Sequence, residues 1–274
     1  MSPAVRVVTD SNTMIPPALG AALDITVVPL TVTIGGDELV EDATLDVAAA
    51  YRRLRTGEAA TTSAPSPGVF LETYRALGPG PIVSVHIGAT YSGTLDAARL
   101  GATTSGADVT VVDTGTASFL AGCCVLAAAE AARDGAATGA VVAAAERTAG
   151  SVASVFTLAE LERGRAGGRL VVEDTDGVPI LLMDRGGISA IGTARTAEDA
   201  AAVMLDHLDA LPSPLRIGVG DADAGEVVDD LVRRLRQRRP GDDVIRYVVG
   251  PTVAAHAGMG TFGVVYHPLD RTAR

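Results

Sequence analysis

Ile82-Val83-Ser84-Val85-His86-Ile87, followed by Gly88-Ala89-Thr90-Tyr91-Ser92-Gly93-Thr94, is the stretch of the chain that decides its fold class. The first part is a nearly continuous apolar run, which is typical of a strand buried on both faces of a parallel sheet. The second part is a turn that leads into a helix. Similar apolar runs at residues 5–9, 25–28 and 109–112 are separated by helix-like segments. This alternation predicts a doubly wound, mostly parallel α/β sheet for the first half.

The second half of the chain has a different order of elements. Residues 178–183 and 188–191 are apolar and flank Asp184-Arg185-Gly186-Gly187, which predicts an antiparallel hairpin. Helices and strands then alternate at residues 197–211, 216–219, 224–239, 244–248 and 263–266. We therefore predict two domains, an N-terminal doubly wound α/β domain at residues 1–155 and a C-terminal α+β domain at residues 156–274.

The composition limits the classes of function. The chain has 274 residues, 47% of them hydrophobic, and a formal net charge of -11 at pH 7. That charge argues against nucleic acid or an anionic membrane as the main partner. No apolar run approaches membrane-spanning length, so we expect a cytoplasmic protein without an integral membrane segment. Cys123 and Cys124 are adjacent in a helical pattern and the four His residues are scattered, so we expect two buried thiols, no metal site and no cofactor.

Thr61-Thr62-Ser63-Ala64-Pro65-Ser66-Pro67 is the segment with the most suggestive binding chemistry. The two prolines favour extended backbone before them, so we predict that the three hydroxyl residues lie on a stiff loop. Ser66 suits a helix N-cap and Pro67 the first helical position. A rigid row of hydroxyls can bind a carboxylate through neutral donors. The alternative is an ordinary Thr/Ser turn followed by a cap.

Other candidate residues follow the predicted strands, because ligands of open α/β sheets bind beyond the carboxyl ends of strands. Thr9-Asp10-Ser11 follows the first strand, and Ser92-Gly93-Thr94 could direct a hydroxyl and helix N–H groups at an anion or serve as an ordinary N-cap. His256 lies in a predicted loop between Gly250 and Gly260, where it could bind a carboxylate or be purely structural. The chain contains no phosphate-binding GxxxxGK[ST] or GxGxxG loop and no GxSxG nucleophile motif.

Taken together, these segments resemble one protein family. The resemblance is carried, in order along the chain, by Val8-Thr9-Asp10-Ser11 with Pro16-Pro17, Ile25–Leu30, Thr61-Thr62-Ser63 with Pro65-Ser66-Pro67, His86-Ile87 with Ser92-Gly93-Thr94, and Gly250-Pro251 with His256, Gly258 and Gly260. The chain resembles the DegV family, the bacterial fatty-acid-binding proteins of the fatty acid kinase system. The resemblance implies two α/β domains that enclose one long-chain fatty acid, and a separate fatty acid kinase that phosphorylates its carboxylate with ATP.

The resemblance also assigns residues to the site. It implies that the carboxylate is bound by Thr61, Thr62, Ser92 and His256. Further contacts with the ligand or the partner are expected from Asp10, Ser11, Ser63, Gly93, Thr94, Gly258 and one of two arginines, Arg165 or Arg169.

The chain departs from the family pattern in two places. Residues 171–177 include Glu173, Asp174 and Asp176 where the family has an apolar helix, and Ala254 and Ala255 replace a Gly and a Thr. The first departure puts the size of the acyl pocket in doubt.

Two other functions stay open. One is a hydrolase, or an enzyme of acyl or phosphoryl transfer, with Ser92 or Thr62 as nucleophile and His256 as base. The other is a ligand-sensing relative that no longer carries lipid.

Overall fold

The computed structural model describes residues 4–158, 177–184 and 187–269. The elements of the first half are β1 (Arg6–Asp10), a 3-10 helix (Ser11–Thr13), α1 (Pro17–Ala22), β2 (Ile25–Val28), β3 (Thr31–Ile34), β4 (Asp37–Val40), α2 (Val47–Arg55), β5 (Ala60–Ser63), α3 (Pro67–Ala76), β6 (Ile82–His86), α4 (Thr94–Ser105), β7 (Val109–Asp113), α5 (Phe119–Arg133) and α6 (Thr138–Ala149). Those of the second half are β8 (Ala153–Thr157), β9 (Val178–Asp184), β10 (Gly187–Ala194), α7 (Ala197–Asp209), β11 (Leu215–Asp221), α8 (Gly225–Arg238), β12 (Asp243–Val248), α9 (Pro251–Ala257) and β13 (Phe262–Pro268).

The strands of the described residues form three sheets. The first is parallel, with strand order β2-β1-β6-β7. The second is a small antiparallel sheet of order β4-β3-β5, also formed by the first half of the chain. The third has order β10-β9-β8-β13-β11-β12 and is mixed, with β11 and β12 parallel. The predicted fold class is therefore confirmed. Strand β8 crosses the predicted domain boundary after residue 155, and that boundary stays a prediction.

Local signals in the sequence account for several elements. Ser66 caps α3 with Pro67 in the first turn, as predicted, and Asp46 caps α2 by accepting a hydrogen bond from the Ala49 backbone N–H at 2.9 Å. Cys123 and Cys124 are both buried in α5 and are not bridged, which is also as predicted. Within the described ranges, no helix has the length and apolar character needed to cross a membrane.

Two predicted loops are regular elements instead. Residues 60–63 form strand β5, in which Thr62 pairs with Val32 and Thr61 with Thr33 of β3. The prediction of a loop was wrong here, because Thr favours strands and β3 offers an edge for pairing. The loop predicted around His256 is helix α9, which has Pro251 in its first turn. It ends at Gly258, whose φ of 88° suits glycine.

The two halves of the chain share a hydrophobic core. The ring of Phe119 on α5 stacks on Tyr247 of β12 at a centroid distance of 4.4 Å and an angle of 12°. A Cβ atom at Gly218 or Gly220 of β11 would overlap these rings, so both glycines are needed for the contact. The hydroxyl of Tyr51 on α2 donates a hydrogen bond to the Val249 carbonyl across the same interface. Helix α9 begins shortly after Val249 and lies against β3 and β5 of the small sheet.

Candidate functional site

Two of the residues predicted to bind the carboxylate, Thr62 and His256, come together from distant parts of the chain. The hydroxyl oxygen of Thr62 lies 2.9 Å from Nε2 of His256. Successive residues of a strand point to opposite faces, so Thr62 faces α9 while Thr61 and Ser63 lie on the other face of β5 and are exposed. Thr62 is half-buried and His256 is exposed. The pair therefore offers a hydroxyl and an imidazole to a ligand that approaches from solvent.

The Ser92 turn is held together by its own hydrogen bonds. Ser92 Oγ lies 2.8 Å from Thr94 Oγ1 and accepts a hydrogen bond from the Thr94 backbone N–H at 3.2 Å. Thr94 is fully buried, whereas Gly93 is exposed and Ser92 is half-buried. Of these two hydroxyls, Ser92 is thus the one that a ligand can reach, and α4 begins at Thr94.

Asp10 belongs to a buried chain of polar side chains. Its Oδ2 lies 2.8 Å from Nδ1 of His86, Nε2 of His86 lies 2.7 Å from Ser84 Oγ, and Ser84 Oγ lies 2.8 Å from the Tyr74 hydroxyl. All four side chains are fully buried. Asp, His and Ser follow one another here as in a hydrolytic triad, but Ser84 is closed in by Tyr74 and a substrate cannot reach it. We conclude that this chain of hydrogen bonds orients the ends of β1 and β6.

Glu41 is a site residue that the sequence analysis missed. It accepts hydrogen bonds from the Ser11 hydroxyl at 2.8 Å, the Thr252 hydroxyl at 2.6 Å and the Thr252 backbone N–H at 3.0 Å. Ser11 in turn accepts a hydrogen bond from the Leu30 backbone N–H at 3.0 Å. Burial raises the pKa of Glu41, although the hydrogen bonds from Thr252 and Ser11 oppose the shift. Glu41 and Ser11 therefore fix the start of α9, and with it His256.

An apolar cavity lies between the two halves of the chain, and α9 forms part of its wall. We call it the interdomain cavity; it has a volume of about 130 Å³. Its walls include Ser118 and Leu120 from the first half and Phe156, Tyr247 and Val265 from the second. Val253 and Ala257, one turn apart on α9, also line it. Helix α9 thus has the interdomain cavity along one face and the Thr62–His256 pair on another.

The remaining predicted residues are placed as follows. Gly258 is buried, and its N–H donates to the Ala254 carbonyl at 2.9 Å, so it ends α9 directly after His256. Arg165 and Arg169 lie outside the described residues. The interdomain cavity is lined by none of the four residues predicted to bind the carboxylate, Thr61, Thr62, Ser92 and His256. Its walls are almost entirely apolar.

The sequence of this chain matches the model of a known protein family along almost its whole length. The model described as uncharacterised protein, DegV family, matches residues 4–269. This chain belongs to the DegV family. Among curated DegV domain-containing proteins, one from Streptomyces coelicolor is 36% identical over 278 residues and covers 97% of this chain and 99% of its own length. One from Deinococcus radiodurans is 32% identical over 279 residues, with the same coverage.

Solved structures of DegV proteins have the same architecture. A DegV family protein from Thermus thermophilus, described as binding fatty acid, has a TM-score of 0.88 and 29% identity, and covers 97% of this chain and 100% of its own. DegV of Bacillus subtilis, described as a fatty acid binding protein, has a TM-score of 0.87 and 25% identity, with coverage of 98% and 100%. The DegV resemblance and the fold class predicted from the sequence are both confirmed.

Proposed function

We propose that this chain binds a long-chain fatty acid and presents its carboxylate to a fatty acid kinase. The observation that carries the proposal is the position of α9, which has an apolar cavity along one face and the Thr62–His256 pair on another. The acyl chain would lie in the apolar cavity, and the carboxylate would bind the Thr62–His256 pair. The two solved DegV proteins described as fatty acid binding have this fold, which supports the same use of the site here.

The two parts of the ligand contribute differently to binding. Burial of the acyl chain contributes roughly 0.8 kcal/mol for each CH₂ group, before the cost of ordering the chain. The carboxylate loses hydrogen bonds to water when it binds, so the protein must supply hydrogen-bond donors in their place. If Nε2 of His256 carries the proton, it can donate to Thr62, whose hydroxyl proton is then free to be donated to the carboxylate. Ser92 completes the proposed set of donors, and Thr61, which lies on the opposite face of β5 from Thr62, is left out of it.

The exposure of His256 supports the proposed transfer to a kinase. A carboxylate bound beside an exposed side chain can be reached by a second protein while the acyl chain stays buried. In this proposal the kinase supplies ATP and the phosphoryl-transfer machinery, and the chain supplies the acyl substrate. The chain alone therefore produces no acyl phosphate.

A two-step experiment tests this function. We expect the denatured protein to release a fatty acid in a near-stoichiometric amount, identified by mass spectrometry. The delipidated protein, reloaded with that acid, should then support acyl-phosphate formation by a fatty acid kinase from the same organism, and omission of either protein should abolish it. Failure to extract or rebind any fatty acid would refute the binding function. Acyl phosphate formed without the kinase would instead show that the chain is an enzyme.

The variant Thr62→Val tests the head-group site. Valine keeps the shape of threonine and removes the hydroxyl, so one hydrogen bond to the carboxylate is lost. We expect the affinity for fatty acid to fall by about 1 kcal/mol, roughly fivefold, as measured by titration calorimetry on delipidated protein. Thr110→Val, on the exposed side of β7, is the matched control. Equal affinities for the two variants would exclude Thr62 from the head-group site.

A further inference from the structure

A second cavity adjoins the interdomain cavity. We call it the C-terminal cavity, because the described residues that line it lie in the second half of the chain; it has a volume of about 260 Å³. Thr157, Val178, Pro179 and Ala197 are among its walls. Leu158 and Phe262 line both cavities. These two side chains therefore stand between one cavity and the other.

The volume of the interdomain cavity is too small for a long acyl chain. An apolar cavity of about 150 Å³ binds one benzene molecule, which has six carbon atoms. By that measure the interdomain cavity, at about 130 Å³, holds only a short acyl segment. The C-terminal cavity has twice this volume, and the rest of a long chain would fit there.

The two residues at the junction differ in their freedom to move. Phe262 is 2% exposed, and its backbone N–H and carbonyl are both within hydrogen-bonding distance of the Thr157 hydroxyl, at 3.4 and 3.3 Å. Its backbone is therefore tied to β8, and its side chain is buried. Leu158 packs against Leu181 and Ala257 and follows the end of β8, outside any regular element. A leucine side chain can change rotamer at little cost, so Leu158 is the member of the pair that can make way for a ligand.

We propose that Leu158 and Phe262 form a passage between the two cavities, and that this passage determines the length of acyl chain that the protein accepts. A short acid fills the interdomain cavity alone. A long acid passes between the two side chains and places its methyl end in the C-terminal cavity. This inference rests on the proposed fatty-acid binding and assigns the length preference to two named residues.

The test compares hexanoic acid, which has five carbon atoms beyond its carboxyl group, with hexadecanoic acid as ligands of the delipidated full chain, by titration calorimetry. Leu158→Phe narrows the passage, and Val178→Phe takes up space in the C-terminal cavity at a residue that does not line the interdomain cavity. Leu182→Phe, on β9 but lining neither cavity, is the matched control. We expect both test variants to bind hexadecanoic acid at least about tenfold more weakly, since two methylene groups left in water already cost that much. Their affinity for hexanoic acid should equal that of the control.

The outcomes separate this inference from the proposed function. Selective loss of the long acid in Leu158→Phe and in Val178→Phe supports the passage. Unchanged affinity for hexadecanoic acid in both variants overturns it, while fatty-acid binding itself stands. Equal loss of both acids also overturns it, because the short acid would then occupy the same space. A wild-type protein that binds neither acid refutes the proposed function, and the passage falls with it.

Discussion

The variant Arg216→Ala is expected to lower the free energy of unfolding by about 3 kcal/mol, as measured by urea denaturation. Arg216 lies on β11, and its side chain is 9% exposed. Its guanidinium donates to both carboxylate oxygens of Glu130 on α5, at 2.7 and 3.1 Å, and to Asp243 on β12 at 2.8 Å. The substitution removes the cation that joins the two halves of the chain and leaves two carboxylates without their partner.

The exposure of the partners sets the size of this effect. Removal of one member of a buried ion pair costs about 3–5 kcal/mol. Glu130 is 34% and Asp243 44% exposed, so water can reach both carboxylates after the substitution, and we expect the lower end of that range. Arg233→Ala, which removes a guanidinium that is 60% exposed, is the matched control and should change stability by less than about 0.5 kcal/mol. If Arg216→Ala were as stable as this control, the triad would contribute nothing to holding the halves together.

The elements that the sequence predicted well are those with strong local signals. The apolar run at Ile82–His86 is a central strand, and Ser66 with Pro67 begins a helix. The errors arose where a signal was short or where pairing with a distant strand decided the structure. Thr61–Ser63 form a strand only because β3 lies beside them. The helix that carries His256 has a readable start signal in Gly250-Pro251, but its seven residues, three of them Ala, give a weak periodic pattern.

The candidate site was predictable in part, for a related reason. Thr62 and His256 each carried a recognisable chemistry, and the structure brings them together. Glu41 carried no such signal, because its role depends on the approach of Ser11 and Thr252 from distant parts of the chain. The need for glycine at Gly250 is likewise apparent only in the folded protein, because a Cβ atom there would overlap the Glu41 carboxylate.

His267 is expected to make the protein less stable as the pH falls from 6.5 to about 4. It lies on β13, opposite Arg216 in the sheet register, and is 5% exposed. Burial and the neighbouring Arg216 lower its pKa to about 4, although the Pro268 carbonyl, Glu130 and Asp243 oppose the shift. The Pro268 carbonyl, 2.9 Å away, requires the proton on Nδ1, and among the described residues Nε2 has no hydrogen-bond partner. A second proton would therefore add a buried charge and an unpaired donor.

The sign and size of the effect follow from this shift. Unfolded chains bind a proton at His267 near pH 6.5, whereas the folded protein binds it only near pH 4, so acid favours unfolding throughout that interval. The contribution amounts to about 3 kcal/mol over the whole interval. The variant His267→Asn retains a donor for the Pro268 carbonyl and cannot titrate. Its free energy of unfolding should fall less than that of wild type between pH 7 and pH 4.5.

The comparison with wild type isolates His267 from the other groups. The raised pKa of Glu41 acts in the opposite direction, because the folded state then favours the protonated carboxyl, but it is common to both proteins and cancels in the difference. Arg216→Ala provides the second comparison: without that cation the pKa of His267 should rise, and the loss of stability in acid should become smaller. Parallel pH profiles for wild type and His267→Asn would show that another group is responsible. If the free energy of unfolding of Arg216→Ala fell more steeply in acid than that of wild type, the guanidinium would not be a cause of the lowered pKa of His267.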